Sequence, residues 1–183
     1  SNGALHISTS VNSEQDIDFT GMLPDLSTCF IFEYKAKLVS GGRYYSILQT
    51  GDCRLGTINL EAQMNVFDGV KNNWVGNKCS IGNEWHVFRF EVDGATINTF
   101  VDGEYLTTWT IRTFSGNALL TFAVQASELD IDYVKLVGMK SGFVEYPYIH
   151  NVNNWDVDDE FDSTESLSNW KVHSGKTIDS MTV

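Results

Sequence analysis

The chain has 183 residues, 42% of them hydrophobic and 13% aromatic, with 15 Gly and only 2 Pro. This composition is typical of a globular domain with many tight turns and argues against disorder. The formal net charge of −12 repels nucleic-acid phosphates and anionic membrane surfaces, so no nucleic-acid partner is expected. No run approaches the roughly 18 apolar residues of a membrane helix, so no membrane insertion is expected either.

Cysteine usage suggests no metal or redox chemistry. Cys29, Cys53 and Cys79 show no Cys-x-x-Cys spacing, which predicts neither a zinc site nor a redox pair. Three free thiols are expected, and one disulfide with a free thiol is the alternative. The acidic balance suits a secreted protein, either extracellular or at the cell surface.

The first predicted elements are short strands. Between Phe30 and Leu38, apolar residues alternate with mostly charged ones, which indicates a half-buried strand. Further strand candidates in this half of the chain are Ala4–Ser8, Tyr44–Gln49, Leu55–Leu60 and Gln63–Phe67.

A strand meander follows between Trp85 and Thr110. Three β-rich runs are joined there by Asp93-Gly94 and Asp102-Gly103, and an Asp-Gly pair between strands favours a type I′ hairpin turn. Leu119–Val124 and Asp130–Val137 are the next strand candidates. About ten to twelve short strands with no helical period predict an all-β fold, a two-sheet antiparallel β-sandwich or jelly roll.

The two ends of the chain predict an unusual organisation. Residues 1–140 form the jelly-roll body, residues 141–155 a linker, and residues 156–183 a segment that looks like the opening strands of a domain. Reading Val183 into Ser1 gives a strand, a turn and a second strand. We expect the tail to complete a jelly roll, in the same or a neighbouring copy; an unrelated downstream domain is the alternative.

Three stretches carry a family resemblance. They are Asn83–Phe90 through Asp102-Gly103, then Asp130–Val137, and finally Asp159–Asp162 followed by Trp170. They resemble hairpin, closing-strand and opening-strand motifs of the concanavalin A-like lectin/glucanase superfamily, especially its laminin-G-like members. The resemblance implies a jelly roll, with the opening strand placed after the closing one.

This permuted order leads to the functional expectation. It suits a non-enzymatic, repeating structural or adhesive subunit, assembled with other copies in tandem or by strand exchange. The residues expected to mediate assembly are Asp159, Glu160, Phe161, Asp162 and Trp170. A carbohydrate-binding module of a secreted, polysaccharide-active protein is the alternative, and a family-16-like glycoside hydrolase is the third reading.

The resemblance also implies two sites for carboxylates. Family members often bind a structural Ca²⁺ between the opening and closing strands, which here carry Asp132, Glu160 and Asp162, and hard oxygen ligands suit calcium. Glu128, Asp130 and Asp132 stand at alternate positions and resemble the catalytic motif of family 16, although the last residue there is Glu. No catalytic residue is assigned, because the shorter Asp withdraws the proton donor.

Glycan binding would use exposed aromatic rings beside polar side chains. Such residues occur together in turn-rich segments, and the candidates for a polysaccharide site are Arg43, Tyr44, Tyr45, Arg54, Asn73 and Trp74. Most other aromatic residues are expected in the core, among them Trp85, Phe88, Phe90, Trp109 and Phe122.

Overall fold

A computed structural model of the chain describes residues 3–26, 29–50, 53–58, 63–68, 73–78, 83–111, 118–139 and 154–183. These residues form thirteen strands and a short 3₁₀ helix at Ser166–Asn169, which confirms the all-β prediction. The strands are β1 Leu5–Thr9, β2 Gln15–Phe19, β3 Cys29–Thr50, β4 Cys53–Ile58, β5 Gln63–Asp68, β6 Asn73–Lys78, β7 His86–Asp93, β8 Thr96–Val101, β9 Glu104–Thr110, β10 Ala118–Met139, β11 Val157–Asp159, β12 Trp170–Val172 and β13 Ser180–Thr182.

The two longest strands, β3 and β10, have 22 residues each and pair with one another along nearly their whole length. Both change direction at the same place. Gly41 has a φ of 100° and Ala126 a φ of 44°, and the ladder shifts register between Glu128 and Leu129. The strands therefore bend together, so that one ladder runs through both sheets.

Each half of this ladder is the centre of one sheet. The seven-strand sheet has the order β12-β2-β10-β3-β4-β5-β6. In the other half, which we call the meander sheet, β3 pairs with β7, followed by β8 and β9. The far edge of β10 pairs in succession with β2, β1 and β11, and β13 pairs with β1.

The core lies between the two sheets and follows the strand alternation. Fully buried members on the meander sheet include Phe32, Phe90 and Ile131, and the seven-strand sheet contributes Leu48 and Phe122. Each such side chain stabilises the fold by roughly 1.5–3 kcal/mol relative to an exposed one. The predicted burial of Phe88, Phe90 and Phe122 is thereby confirmed.

Two tryptophans expected in the core are only half-buried, Trp85 and Trp109. Trp85 immediately precedes β7, and its ring lies beside the ammonium groups of Lys35 and Lys37, the polar residues of the alternating strand. It therefore lies on the outer face of the meander sheet. The expectation that Trp85 belongs to the core is wrong, whereas Trp109 is partly buried and packs against the core.

The meander is confirmed, whereas two pairs of predicted strands merge. Asp102 and Gly103 have φ values of 52° and 84°, as a type I′ turn requires. The type I′ turn predicted at Asp93-Gly94 is not formed, because only Gly94 has a positive φ and Asp93 pairs with Thr96. The strands predicted around Phe30–Leu38 and Tyr44–Gln49 are one strand, β3, and the later pair is β10. The two predicted strands are joined at Gly41 by a bend inside a paired ladder, since β10 bends at the same place.

The tail from residue 154 to residue 183 joins the sheets of its own chain. β11 pairs with β10 through Asp159 and Val134, β12 pairs with β2, and β13 pairs with β1. Of the predicted linker, residues 141–153 lie outside the described residues.

The two described cysteines, Cys29 and Cys53, are free and buried, and Cys79 lies outside the described residues. Burial, followed by contact with Asp93, raises the pKa of the Cys29 thiol to about 11. A thiol with this pKa is protonated at neutral pH and unreactive.

The bend provides a stability test. A Cβ at Gly41 would lie 2.2 Å from the backbone oxygen of Ala126, whereas a Cβ at Gly94, which also has positive φ, meets nothing within 4 Å. We expect Gly41→Ala to lower the free energy of unfolding by about 3 kcal/mol or more. The control Gly94→Ala should cost only about 1 kcal/mol, from its backbone conformation. Equal losses in urea unfolding would contradict the tight bend.

Candidate functional site

The predicted glycan residues lie on the seven-strand sheet. Arg54 of β4 pairs with Gln49 of β3 on one side and with Phe67 of β5 on the other, and Phe67 pairs with Trp74 of β6. Residues paired across antiparallel strands share a face of the sheet. Gln49, Arg54, Phe67 and Trp74 therefore form one cross-strand row.

This row belongs to the outer face. Cys53 and Leu55, the neighbours of Arg54 in β4, are buried in the core, and successive residues of a strand point to opposite faces. Arg54 and Gln49 are both half-buried. The side chains of Tyr44, Tyr45, Asn73 and Trp74 lie outside the described residues, and the exposed Arg43 pairs with Gln125.

Two carboxylates stand on the same outer face, in β2. Asp16 and Asp18 flank the core residue Ile17. Thr121 of β10 donates a hydrogen bond of 2.9 Å from Oγ1 to Asp18 Oδ1, and the Nδ1 of His173 lies 2.6 Å from Asp18 Oδ2. The Asp18 side chain, 12% exposed, thus links a central strand to the tail.

The neighbouring Asp16 is held less completely. Its Oδ2 lies 3.1 Å from Lys176 Nζ, while its Oδ1 is buried without a hydrogen-bond partner in the described part of the chain. Glu14 stands two residues before Asp16 in the sequence and is exposed as a whole residue. Partial burial of its carboxyl group, followed by the charge of Asp16, nevertheless raises the pKa of Glu14, and Lys176 partly opposes this. The two carboxylates of this polar site therefore differ in their partners: both oxygens of Asp18 have one, whereas only one oxygen of Asp16 does.

Sequence patterns did not point to Asp16 and Asp18, although a signal was present. Glu14, Asp16 and Asp18 stand at alternate positions, the same spacing that drew attention to Glu128, Asp130 and Asp132. Partners such as His173 lie too far away in sequence to be paired from spacing alone.

The family-16-like motif is not arranged as predicted. A register shift between Ile131 and Tyr133 leaves Asp132 without a partner residue in β3, so the regular alternation ends there. Asp130 and Asp132 line one cavity, whereas Glu128 lines another, so the three carboxylates do not share one site. Asp130 Oδ1 lies 2.7 Å from His6 Nδ1, and Asp132 Oδ2 lies 2.7 Å from Lys35 Nζ. Carboxylates held by His and Lys side chains in this way do not form the free pair that retaining hydrolysis needs.

The carboxylates predicted to bind calcium do not converge. Asp132 is paired with Lys35, Glu160 forms an ion pair with Lys135, and Asp162 is exposed. Among the described residues, no three His, Cys, Asp or Glu side chains form a group that could hold a metal ion. This arrangement does not fit a calcium site built from these three residues, and calcium binding stays a prediction.

The residues predicted to mediate self-assembly are used within the chain. Phe161 is fully buried, Trp170 is nearly so, and Trp170 Nε1 donates a 3.0 Å hydrogen bond to Asp159 Oδ2. The Trp170 ring also packs 5.3 Å from Phe19 and 5.4 Å from Phe122, centre to centre. Glu160 and Asp162 are exposed. Contact with another copy stays a prediction.

Comparison with solved structures shows the fold. Domains LG4-5 of the mouse laminin α1 chain match with a TM-score of 0.55 and 10% identity, over 74% of this chain and 42% of that one. A native glycosidic hydrolase matches with a TM-score of 0.50 and 13% identity, over 73% and 77%. The chain has the concanavalin A-like jelly-roll fold.

The other comparisons add little to what the fold shows. A glycosyl hydrolase family protein from Mycobacterium fortuitum has a TM-score of 0.49 and 14% identity, over 60% of this chain and 64% of its own, less than two thirds of its length. No protein-family model and no curated protein sequence matches the chain. In the described part of the jelly roll, none of the helical structure could span a membrane.

The packing of the tail can be tested in β12. Trp170 is 3% exposed, whereas Val172, two residues later, is 37% exposed. We expect Trp170→Ala to lower the free energy of unfolding by about 3–5 kcal/mol, because it opens a core cavity. The control Val172→Ala should change it by about 0.5 kcal/mol. Similar small effects for both variants in urea unfolding would show that the tail is not part of the core.

Proposed function

We propose that this chain is an extracellular carbohydrate-binding module that holds a polysaccharide on the outer face of the seven-strand sheet without hydrolysing it. The observation that carries the proposal is the common face of the Arg54 row and the β2 carboxylates. Asp18, Thr121 and residue 47 of β3 are in register. Gln49, which pairs with Arg54 of β4, stands two residues further along β3.

The chemistry of this face suits sugar hydroxyls. Carboxylates such as Asp16 and Asp18 only accept hydrogen bonds, whereas the Arg54 guanidinium only donates them, and a hydroxyl group does both. Trp74 stands in the same row as Arg54. Sugar sites combine an apolar surface with a few fixed polar groups, and this face supplies the polar groups.

A sheet face can bind a chain longer than one sugar. The row from Gln49 to Trp74 crosses four neighbouring strands, and neighbouring strands lie about 4.8 Å apart. One protein of the same fold is a glycosidic hydrolase, which supports a carbohydrate ligand in our proposal. A polymer laid across the strands would meet Arg54 and the β2 carboxylates together.

Hydrolysis on the same face is the second candidate function. Its supporting observation is the unequal pair of Glu14, whose pKa is raised, and Asp16, whose Oδ1 lacks a partner among the described residues. Glycoside hydrolysis uses two carboxyl groups, one of which has a raised pKa. Release of reducing sugar by the wild-type protein, absent in Glu14→Gln, would favour this function over binding alone.

Assembly of repeated copies stays a separate prediction. The tail completes the sheets of its own chain, so no neighbouring copy is needed to fill them. Light scattering after gel filtration distinguishes the two cases. A molar mass that rises with protein concentration would support assembly, and a monomer at all concentrations would contradict it.

Polysaccharide binding can be tested by affinity electrophoresis in gels containing neutral polysaccharides. We expect at least one polymer to retard the wild-type protein. Arg54→Ala should weaken that binding about tenfold, equivalent to about 1.4 kcal/mol, because it removes the only donor group in the row that always carries a charge.

The control for this experiment is Lys135→Gln, which removes one positive charge from the meander sheet. It should bind as the wild type does. Equal weakening by both variants would indicate a general charge effect. If the polysaccharide retards Arg54→Ala as strongly as the wild type, the binding site lies elsewhere.

A further inference from the structure

A second polar row crosses the outer face of the meander sheet. Lys37 of β3 pairs with Asp130 of β10, Asp130 pairs with His6 of β1, and His6 pairs with Thr182 of β13. At the other end of the row, Lys37 Nζ lies 4.9 Å from the centre of the Trp85 ring. The row therefore runs from an aromatic ring to a hydroxyl group across five chain segments.

This row lines a cavity of about 560 Å³, which also includes Lys35 and Asp132. Ligand sites commonly have volumes of about 300–1,000 Å³. The four charged side chains of Lys35, Lys37, Asp130 and Asp132 are each between 19% and 33% exposed, so a ligand in the cavity could reach them. The side chains converge on one space.

The charges in this cavity balance. Lys35 Nζ lies 2.7 Å from Asp132 Oδ2, and Lys37 Nζ lies 3.5 Å from Asp130 Oδ2. Two ammonium groups facing two carboxylates attract neither an anion nor a cation over distance, because their fields cancel. They still offer donors and acceptors side by side. The favoured ligand is therefore neutral and rich in hydroxyl groups.

We propose that this cavity binds one or two neutral sugar residues through Trp85, independently of the face that carries Arg54. The ring of Trp85 packs against the sugar, and the two Lys–Asp pairs hold its hydroxyl groups. This goes beyond the proposed function, because the two sites lie on different sheets. Thr182, which pairs with His6 of β1, places the cavity partly on the tail, so the tail strand β13 completes it.

The test is an NMR titration that observes the indole N–H of Trp85. The chain has five tryptophans, and the Trp85 signal is assigned as the one missing from Trp85→Phe. The probes are maltose, cellobiose and lactose, added separately. We expect at least one of them to shift the Trp85 signal saturably, with a dissociation constant on the order of 1 mM.

Two variants establish that the shift reports this cavity. Asp130→Asn and Lys35→Met should each weaken the disaccharide at least about fivefold, since each removes a polar partner. Lys135→Gln is the matched control, because Lys135 also lies 4.8 Å from the centre of an aromatic ring, that of Tyr133, but outside the cavity. It should bind as the wild type does. Backbone amide spectra verify that each variant is folded.

Three results would overturn the proposal. The first is a Trp85 signal that no probe shifts, and the second is a shift that does not saturate. The third is a disaccharide affinity in Asp130→Asn and Lys35→Met that equals that of the wild type. Arg54→Ala separates this proposal from the first one, because it should leave the Trp85 titration unchanged. Loss of both polysaccharide retention and the Trp85 shift in Arg54→Ala would mean a single site and would contradict a second one.

Discussion

The antiparallel ladder between β3 and β10 is the contact on which both sheets depend. It continues from Cys29 and Met139 at one end to Thr50 and Ala118 at the other, and it bends where Gly41 approaches Ala126. Every other described strand attaches to one of these two strands, directly or through a neighbour. The tail strands β11, β12 and β13 attach in the same way, so a change in the bend would reach all parts of the domain.

The same ladder separates two surfaces with different chemistry. Beyond the bend, the outer face of the seven-strand sheet carries the β2 carboxylates, Thr121 and Arg54. Before the bend, the meander sheet carries balanced Lys–Asp pairs beside Trp85. Both surfaces consist of cross-strand rows on an ordered sheet, which positions polar groups more precisely than loops do. The two carbohydrate sites that we propose lie on different sheets of this one bent scaffold.

Local patterns predicted much of this fold, and long-range pairing explains what they missed. The Asp102-Gly103 hairpin and the alternation from Phe30 follow from neighbouring residues. The merging of two predicted strands into β3 does not follow from neighbouring residues. A glycine such as Gly41 can end a strand in a loop or bend it, and which occurs here depends on the bend in its distant partner strand, β10. Asp130 was grouped with Glu128 by spacing, but its partner is His6, 124 residues earlier. Arg54 and Trp74 are candidates because aromatic and polar residues occur together in turn-rich segments, and only the register places them in one row.

Amide hydrogen exchange, measured by mass spectrometry with and without a retained neutral polysaccharide, tests the central claim most directly. The account predicts that β3 and β10 exchange slowest in both states, since they are the centre of each sheet. It also predicts that the polysaccharide slows exchange in peptides that contain residues 14–19 and 53–58, on the seven-strand sheet. Protection confined to the β7–β9 meander, or no protection in either segment, would contradict a polysaccharide site on that face.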